Sequence, residues 1–295
     1  MGIIANSKTK IICQGILTPA GLINTEQAIA YGTNIVGGVA EGMGGKTTLN
    51  VPLFNTVKEA VAQTKAQISV IFASPANAVN EIEQAIDAKI KWIICPTERI
   101  PVHDILKIKD KLKKSKSHLI GPAAPGIITA GECKAGTMPA HLFLSGNVGI
   151  MSRSGSVLYE AVQQLKNKGI GVSSCVALGA YPILGTEFTD VLDLFNKDKK
   201  TDIILLIGEI GGSLEQQLVE HYANLKKKKP LISYIAGQYV PNKTYMGNIS
   251  AIVDSPKESA EYKNKCLKDA GSVIVSSPSA IGDAVFKILM GQKNG

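Results

Sequence analysis

Cysteine is scarce in this chain of 295 residues: Cys13, Cys95, Cys133, Cys175 and Cys266 are far apart, odd in number and form no CxxC pair. Structural disulfides and a thiolate zinc cage are therefore not expected. Histidine is rarer still, with four residues at 103, 118, 141 and 221 and no HxH or HxxxH spacing. No metal site is expected from such a set. No run reaches the roughly 18 consecutive apolar residues that a membrane helix needs. The opening Met1-Gly2-Ile3-Ile4-Ala5-Asn6 has no secretory apolar stretch and puts Asn6 where myristoylation wants Ser or Thr. No membrane association and a cytoplasmic location are the resulting expectations. Aromatic residues make up only 5%, too few to interleave with basic side chains as single-strand nucleic-acid binding requires.

What the chain does have is core material. Hydrophobic residues are 45% and charged residues 19%, which excludes a disordered or fibrous chain. The length suggests two domains. The net charge of +8 sits largely in three lysine clusters, Lys109–Lys116, Lys197–Lys200 and Lys226–Lys229. Each falls at the predicted end of a helix or in the turn after it, where cations suit the helix dipole. No nucleic-acid surface is expected; attraction to a small anionic ligand stays open.

Aliphatic strands alternate with helical patterns throughout. Lys10–Cys13, Asn34–Val36, Ile68–Phe72, Trp92–Cys95 and His118–Ile120 read as strands, separated by helices over Thr25–Tyr31, Val57–Gln63, Val79–Ala88 and Val102–Lys114. A second series begins at Val148–Met151 and continues through strands at Val172–Ala177, Ile203–Ile207, Leu231–Ile235 and Val273–Val275. Its helices are predicted over Val157–Lys168, Phe188–Phe195, Leu214–Asn224, Ser259–Asp269 and Ala280–Met290. Continuous apolar strands alternating with helices mark parallel sheets buried on both faces. The expectation is an α/β chain with one domain over 1–121, a Gly/Pro-rich linker and interdomain loop over 122–146, and a second domain over 147–295. Ligands in such open sheets bind beyond the carboxyl ends of the strands.

Several loops there could hold an anion. Gly15–Gly21 follows the first strand, but Thr18-Pro19 makes an N-cap and N1 pair, and proline removes a donor a phosphate would use. A helix cap and a binding loop both remain open. Gly42-Met43-Gly44-Gly45-Lys46 is glycine-rich yet is no Walker loop, since it leads into no helix. Ser152-Arg153-Ser154-Gly155-Ser156 puts small hydroxyl residues at a helix start and is the best anion site in the chain. Gly208-Glu209-Ile210-Gly211-Gly212-Ser213 repeats that geometry with a carboxylate, either orienting a cation or imidazole or standing solvated at the loop tip.

Taken together, Cys13-Gln14-Gly15, Glu26–Thr33, Gly37-Gly38-Val39, Phe54-Asn55-Thr56-Val57, Gly131-Glu132-Cys133-Lys134, Ser152-Arg153-Ser154-Gly155, Tyr159-Glu160-Ala161-Val162 and Gly208–Gly212 resemble the α subunit of succinate–CoA ligase. The resemblance covers nearly the whole chain in the same order. It implies a Rossmann-like CoA-binding domain followed by a flavodoxin-like ligase domain, both with mainly parallel sheets. It also implies a β subunit that brings the nucleotide and magnesium, and a step of the tricarboxylic acid cycle in which a phosphohistidine carries phosphate to succinate before CoA takes the acyl group. Helix N-termini, one from each subunit, steady that phosphohistidine.

The departures fall mainly on the chemistry. The family's Met-Gly-His reads Met246-Gly247-Asn248, and an amide is no nucleophile. His141 matches a histidine of the family's linker, where a structural role is expected. Of the CoA-binding positions that the resemblance implies, a Thr-Gly-Ser-Gln loop reads Leu17-Thr18-Pro19-Ala20 and a lysine is Met43, with Lys46 three residues on. Thr97 and Glu98 match the family, although Pro96 precedes them. Gly-Pro-Asn-Cys-Pro-Gly has become Gly121-Pro122-Ala123-Ala124-Pro125-Gly126, and Gly-Gly-Asp-Pro reads Gly179-Ala180-Tyr181-Pro182. Tyr159 matches a succinate contact; Glu209 and the phosphate-holding Ser154, Gly155 and Ser156 match as well. The expectation is an α-type subunit with weakened CoA binding and impaired or absent phosphoryl transfer. Two alternatives stay open: an active subunit with a relocated nucleophile, and a non-catalytic CoA or acyl-CoA-binding module.

Overall fold

A computed structural model describes residues 2–241, Lys243 and residues 250–293. Asn248, with Met246 and Gly247 before it, lies outside the described residues.

Two sheets of seven strands each organise the chain. The first is built from β1 (Ile11–Gln14), β2 (Ile35–Val39), β3 (Thr47–Thr48), β4 (Val51–Phe54), β5 (Ile68–Ile71), β6 (Trp92–Ile94) and β7 (His118–Ile120), in the order β3-β4-β2-β1-β5-β6-β7. All neighbours run parallel except the β3–β4 hairpin. Its helices are α1 (Pro19–Ala30), α2 (Val57–Thr64), α3 (Pro75–Asp87) and α4 (Val102–Lys113). The helix starts follow from local chemistry. Thr18 accepts from the Gly21 amide at 3.0 Å with Pro19 in the first turn, and Thr56 accepts from the Glu59 amide at 3.1 Å.

The second sheet contains β8 (Gly126–Thr129), β9 (Cys133–Gly136), β10 (Ser145–Ser152), β11 (Val172–Ala177), β12 (Ile203–Glu209), β13 (Leu231–Ala236) and β14 (Val273–Ile274), in the order β14-β13-β12-β10-β11-β8-β9. The five from β14 to β11 are parallel; β8 and β9 are antiparallel additions at one edge. Helices α5 (Gly155–Asn167) and α9 (Ile281–Lys293) pack together on one side. On the other, α6 (Phe188–Lys197), α7 (Leu214–Ala223) and α8 (Ala260–Asp269) pack in sequence. Strand β12 is buried throughout and β10 from Val148 onward, as a sheet covered on both faces requires.

The stretch 122–146, expected to be a linker, instead carries β8 and β9 and extends the second sheet. Four residues per strand is too short to show a period, and the glycines at their ends disguise them. Those glycines have a steric reason: a side chain on Gly126 would collide with the Ala135 carbonyl of the paired strand. The hairpin of β3 and β4 was also absent from the expected strands. Its turn, Leu49-Asn50, places both residues at positive φ without the usual glycine.

The two sheets are joined by side-chain contacts. Tyr31 Oη accepts from the Gly131 amide at 2.7 Å, Lys134 Nζ donates to Gln27 Oε1 at 2.9 Å, and Lys109 pairs with Glu187 at 2.6 Å. The Tyr181 hydroxyl donates to the Ile100 carbonyl.

Candidate functional site

Beyond the carboxyl ends of β1, β2 and β4 lies a cleft of about 940 Å³, bounded by Gly15, Leu17, Thr18, Ala40, Asn55 and residues of α3. Gly15 has φ +68°, and a Cβ there would strike the Phe72 carbonyl, so only glycine leaves the backbone this close to β5. The shape suits an extended ligand, but the chemistry is poor for phosphate. Thr18 spends its hydroxyl inside the loop, accepting from Gly21 and donating to the Gly15 carbonyl at 2.8 Å. Pro19 has no amide proton to offer. The charged side chains lining the cleft are Glu41 and Glu81, and no lysine or arginine lines it among the described residues.

The other expected CoA positions are scattered. Pro19 and Ala20 are exposed in the first turn of α1, and Met43 is half-buried against the core. Lys46 is exposed, its Nζ 3.5 Å from the Met43 sulfur, and does not reach the cleft. Pro96 and Thr97 are half-buried behind β6, where Thr97 donates to the Ala73 carbonyl at 2.8 Å. Glu98 is exposed and lines a second cavity instead.

That second cavity, of about 510 Å³, is where the two halves of the chain meet. Glu98 and Arg99 come from the first; Ser154, Gly155, Ser156, Tyr159 and Tyr181 come from the second. Ser154, Gly155, Ser156 and Tyr159, expected as phosphate and substrate residues, line this one cavity. Ser154 caps α5, accepting from the Val157 amide at 3.4 Å, and its own amide donates to Ser152 Oγ at 3.0 Å. The amides of Gly155 and Ser156 belong to the helix's unsatisfied first turn and face no intrahelical acceptor. A helix N-terminus of this kind favours an anionic oxygen. Burial pushes the Tyr159 phenol above its ordinary pKa, so it stands as a hydroxyl donor at neutral pH.

Glu209 is at the end of β12, and the structure rejects the solvated-tip alternative. It is buried, with Oε1 3.0 Å from Arg153 Nη2 and accepting from Ser250 Oγ at 3.0 Å. Beneath it Glu215 accepts from Arg153 Nη1 at 3.3 Å, from Lys263 Nζ at 2.5 Å and from the Glu209 amide at 3.2 Å. Lys263 also donates to the carbonyls of Glu209 and Gly211, at 2.9 and 2.7 Å. Two acids and two bases thus balance in the interior. Burial alone would raise the Glu215 carboxyl, but Arg153 and Lys263 hold it below the ordinary range. Burial lowers Lys263, with Glu215 opposing. The arrangement clamps the Gly211 turn, where a Cβ would strike the Ser250 carbonyl.

Sequence reasoning missed Glu215 and Lys263. Glu215 reads as an ordinary first-turn acid of α7. Lys263 did leave a signal: α8 buries Ala260, Lys263 and Leu267, a helical stripe with a lysine in an apolar position.

No histidine among the described residues lines either cavity or touches this cluster. His141 is exposed in a single helical turn, His118 stacks on Trp92 with centroids 4.5 Å apart, and His221 pairs with Asp193 at 2.7 Å. The cysteines are free; burial pushes Cys13 and Cys133 up to about 12 and Cys95 to about 11. Among the described residues no cluster of His, Cys, Asp or Glu could hold a metal ion, and no helix is long and apolar enough to cross a membrane.

Comparison with known proteins accounts for both halves. A CoA binding domain model matches residues 6–99 and a CoA-ligase model matches residues 151–273, in keeping with a Rossmann-like sheet followed by a flavodoxin-like one. The α subunit of the ADP-forming succinate–CoA ligase of Aquifex aeolicus is 43% identical over 291 residues, spanning 98% of this chain and 95% of its own length. The corresponding subunit of Staphylococcus aureus is 42% identical over 287 residues, spanning 97% and 95%. Among solved structures, ATP citrate lyase from Methanothrix soehngenii in complex with citrate and coenzyme A superposes over 98% of this chain with a TM-score of 0.87 at 23% identity. The chain spans about half of that protein, 51%, and at this identity the likeness concerns the fold. With both domains matched and the relatives covered nearly end to end, the chain belongs to the family of succinate–CoA ligase α subunits.

Proposed function

We propose that this chain is the α-type subunit of a succinate–CoA ligase complex in the cytoplasm, impaired or inactive in phosphoryl transfer, with nucleotide and magnesium held only by a β subunit. The observation that carries the loss is Asn248 in Met246-Gly247-Asn248, where the family's stretch is Met-Gly-His. A carboxamide nitrogen has its lone pair delocalised into the carbonyl, so it neither attacks an acyl phosphate nor forms a phosphoramidate. No described histidine lines either cavity.

The rest of the site supports the α-type role. Succinate, or an acyl phosphate made from it, fits the wall of Ser154, Gly155 and Ser156, where unsatisfied amides meet developing negative charge. Tyr159 closes the same wall and donates a hydrogen bond. Glu209 is held by Arg153 and accepts from Ser250, which follows Asn248 by two positions in the sequence. CoA as the thiol substrate would lie along the first cleft. Binding there is weakened because Thr18 is committed to the cap, Pro19 offers no amide, Met43 carries no charge, and Glu41 and Glu81 repel phosphate.

The test is to purify the chain with its β subunit and supply radiolabelled ATP or GTP. A stable complex without acid-labile label on this chain is the expected outcome. Label on it would show that another nucleophile serves, and failure to form the complex would remove the α-type role in favour of a free-standing CoA-binding module.

A further inference from the structure

Arg99 is singular among the described residues. Its backbone is left-handed, with φ +60°, a region that side chains longer than asparagine's enter at a cost. No described carboxylate lies within salt-bridge distance of its guanidinium. It borders two cavities: the one of about 510 Å³ at the α5 N-terminus, and a neighbour of about 520 Å³ between α3 and α4 that carries Glu83 and Asp104.

The turn cannot relax, because it is pinned on both sides. Before Arg99, Thr97 donates to the Ala73 carbonyl at 2.8 Å and its own carbonyl accepts from the Ala123 amide at 2.9 Å. After it, Ile100 is buried, its carbonyl accepts from the Tyr181 hydroxyl, and Pro101 is the N-cap of α4. Pinning of this kind keeps a strained residue in place and delivers a positive charge to the cavity rim. Across the cavity stand the free amides of the first turn of α5. In the same wall Arg153, 2% exposed, has a buried Nε with no acceptor among the described residues. Its two terminal nitrogens are spent on Glu209 and Glu215, which leaves Arg99 as the cation of this lining without a carboxylate partner among the described residues.

We propose that Arg99 is a specificity-determining residue of this cavity. It selects a small dicarboxylate, with one end on the α5 N-terminus and the far carboxylate on its guanidinium, over a monocarboxylate of the same length. Arginine suits that task because its planar fork meets a carboxylate through two parallel hydrogen bonds. The inference rests on reading the cavity as the acid site of an α-type subunit.

Calorimetric titration of the full-length chain with succinate, butanoate and inorganic phosphate tests it, in wild type, Arg99→Gly and Arg99→Lys. Wild type should bind succinate at least about fivefold tighter than butanoate, the size of a well-formed exposed ion pair. Arg99→Gly should bind the two acids alike while keeping phosphate affinity, and Arg99→Lys should fall between. Arg99→Gly should also melt no lower than wild type, because glycine accepts this backbone without strain, so lost selectivity is not lost folding. Equal binding of the acids by wild type, no binding of succinate, or a preference that survives in Arg99→Gly would each overturn the proposal. Because CoA, nucleotide and β subunit are all left out, its failure is separate from that of the labelling experiment.

Discussion

Lys134 stands in β9 with none of its surface exposed, and its ammonium donates to the amide oxygen of Gln27. Burial pushes its ammonium down from 10.5 to about 8. Between those values the unfolded chain carries a proton that the folded chain does not, so this group makes stability rise with pH. The buried thiols act in the opposite sense. Cys13, Cys95 and Cys133 are raised from 9.0 to about 11 or 12, so the unfolded chain loses their protons first and stability falls above pH 9. Lys134→Met removes the first effect and leaves the second. Urea unfolding of both proteins at pH 7.5 and 9.5 should show wild type gaining on the variant as pH rises; a constant difference would mean that Lys134 titrates normally. The reading Met246-Gly247-Asn248, on which the proposed loss of phosphoryl transfer rests, is also a residue-scale feature of the sequence. The burial of Glu209 was not, since a carboxylate after a strand looks the same in sequence whether solvated or paired.

At the scale of elements, the helix starts were the most legible features because they depend on neighbouring residues. Thr18-Pro19 and Ser154 act as the caps their types imply. The cap of α1 also decides between two roles for that loop. Thr18→Ala should cost about 1 kcal/mol of stability, the usual worth of such a cap, and leave CoA affinity unchanged, because the hydroxyl already serves Gly21 and Gly15. A stability change near zero with a large loss of CoA binding would mark Thr18 as a phosphate ligand. Denaturant unfolding and CoA titration on one preparation read both. The hairpin of β3 and β4 and the edge pair β8 and β9 escaped notice because short strands show no periodicity, and the β3–β4 turn, Leu49-Asn50, has no glycine.

For the molecule as a whole, the proposed function would put the two half-reactions in different parts of the fold. The thiol would use the cleft beyond β1 and the phosphate the wall of α5, while Tyr181, Lys109 and Lys134 tie the halves together. Asn248→His addresses one half only. In the complex with its β subunit, that variant should become labelled by ATP or GTP yet not regain turnover, because Thr18, Pro19, Met43, Glu41 and Glu81 still oppose CoA. A coupled assay of thioester formation reads this, and full activity from that single change would show that the cleft's charges matter little.

Local order determined much of this protein from the sequence alone: the alternation of strands and helices, the capped helix starts, the hydroxyl-rich start of α5 and an asparagine at position 248. Each rests on residues within a few positions of one another. Only the tertiary structure decided that Glu209 is enclosed with Arg153, Glu215 and Lys263, and that Arg99 faces α5. Those partners lie as far apart as 62 positions for Arg153 and Glu215 and 54 for Lys263 and the Glu209 carbonyl. Charge pairing and burial depend on distance in space, which no local pattern of residue types encodes.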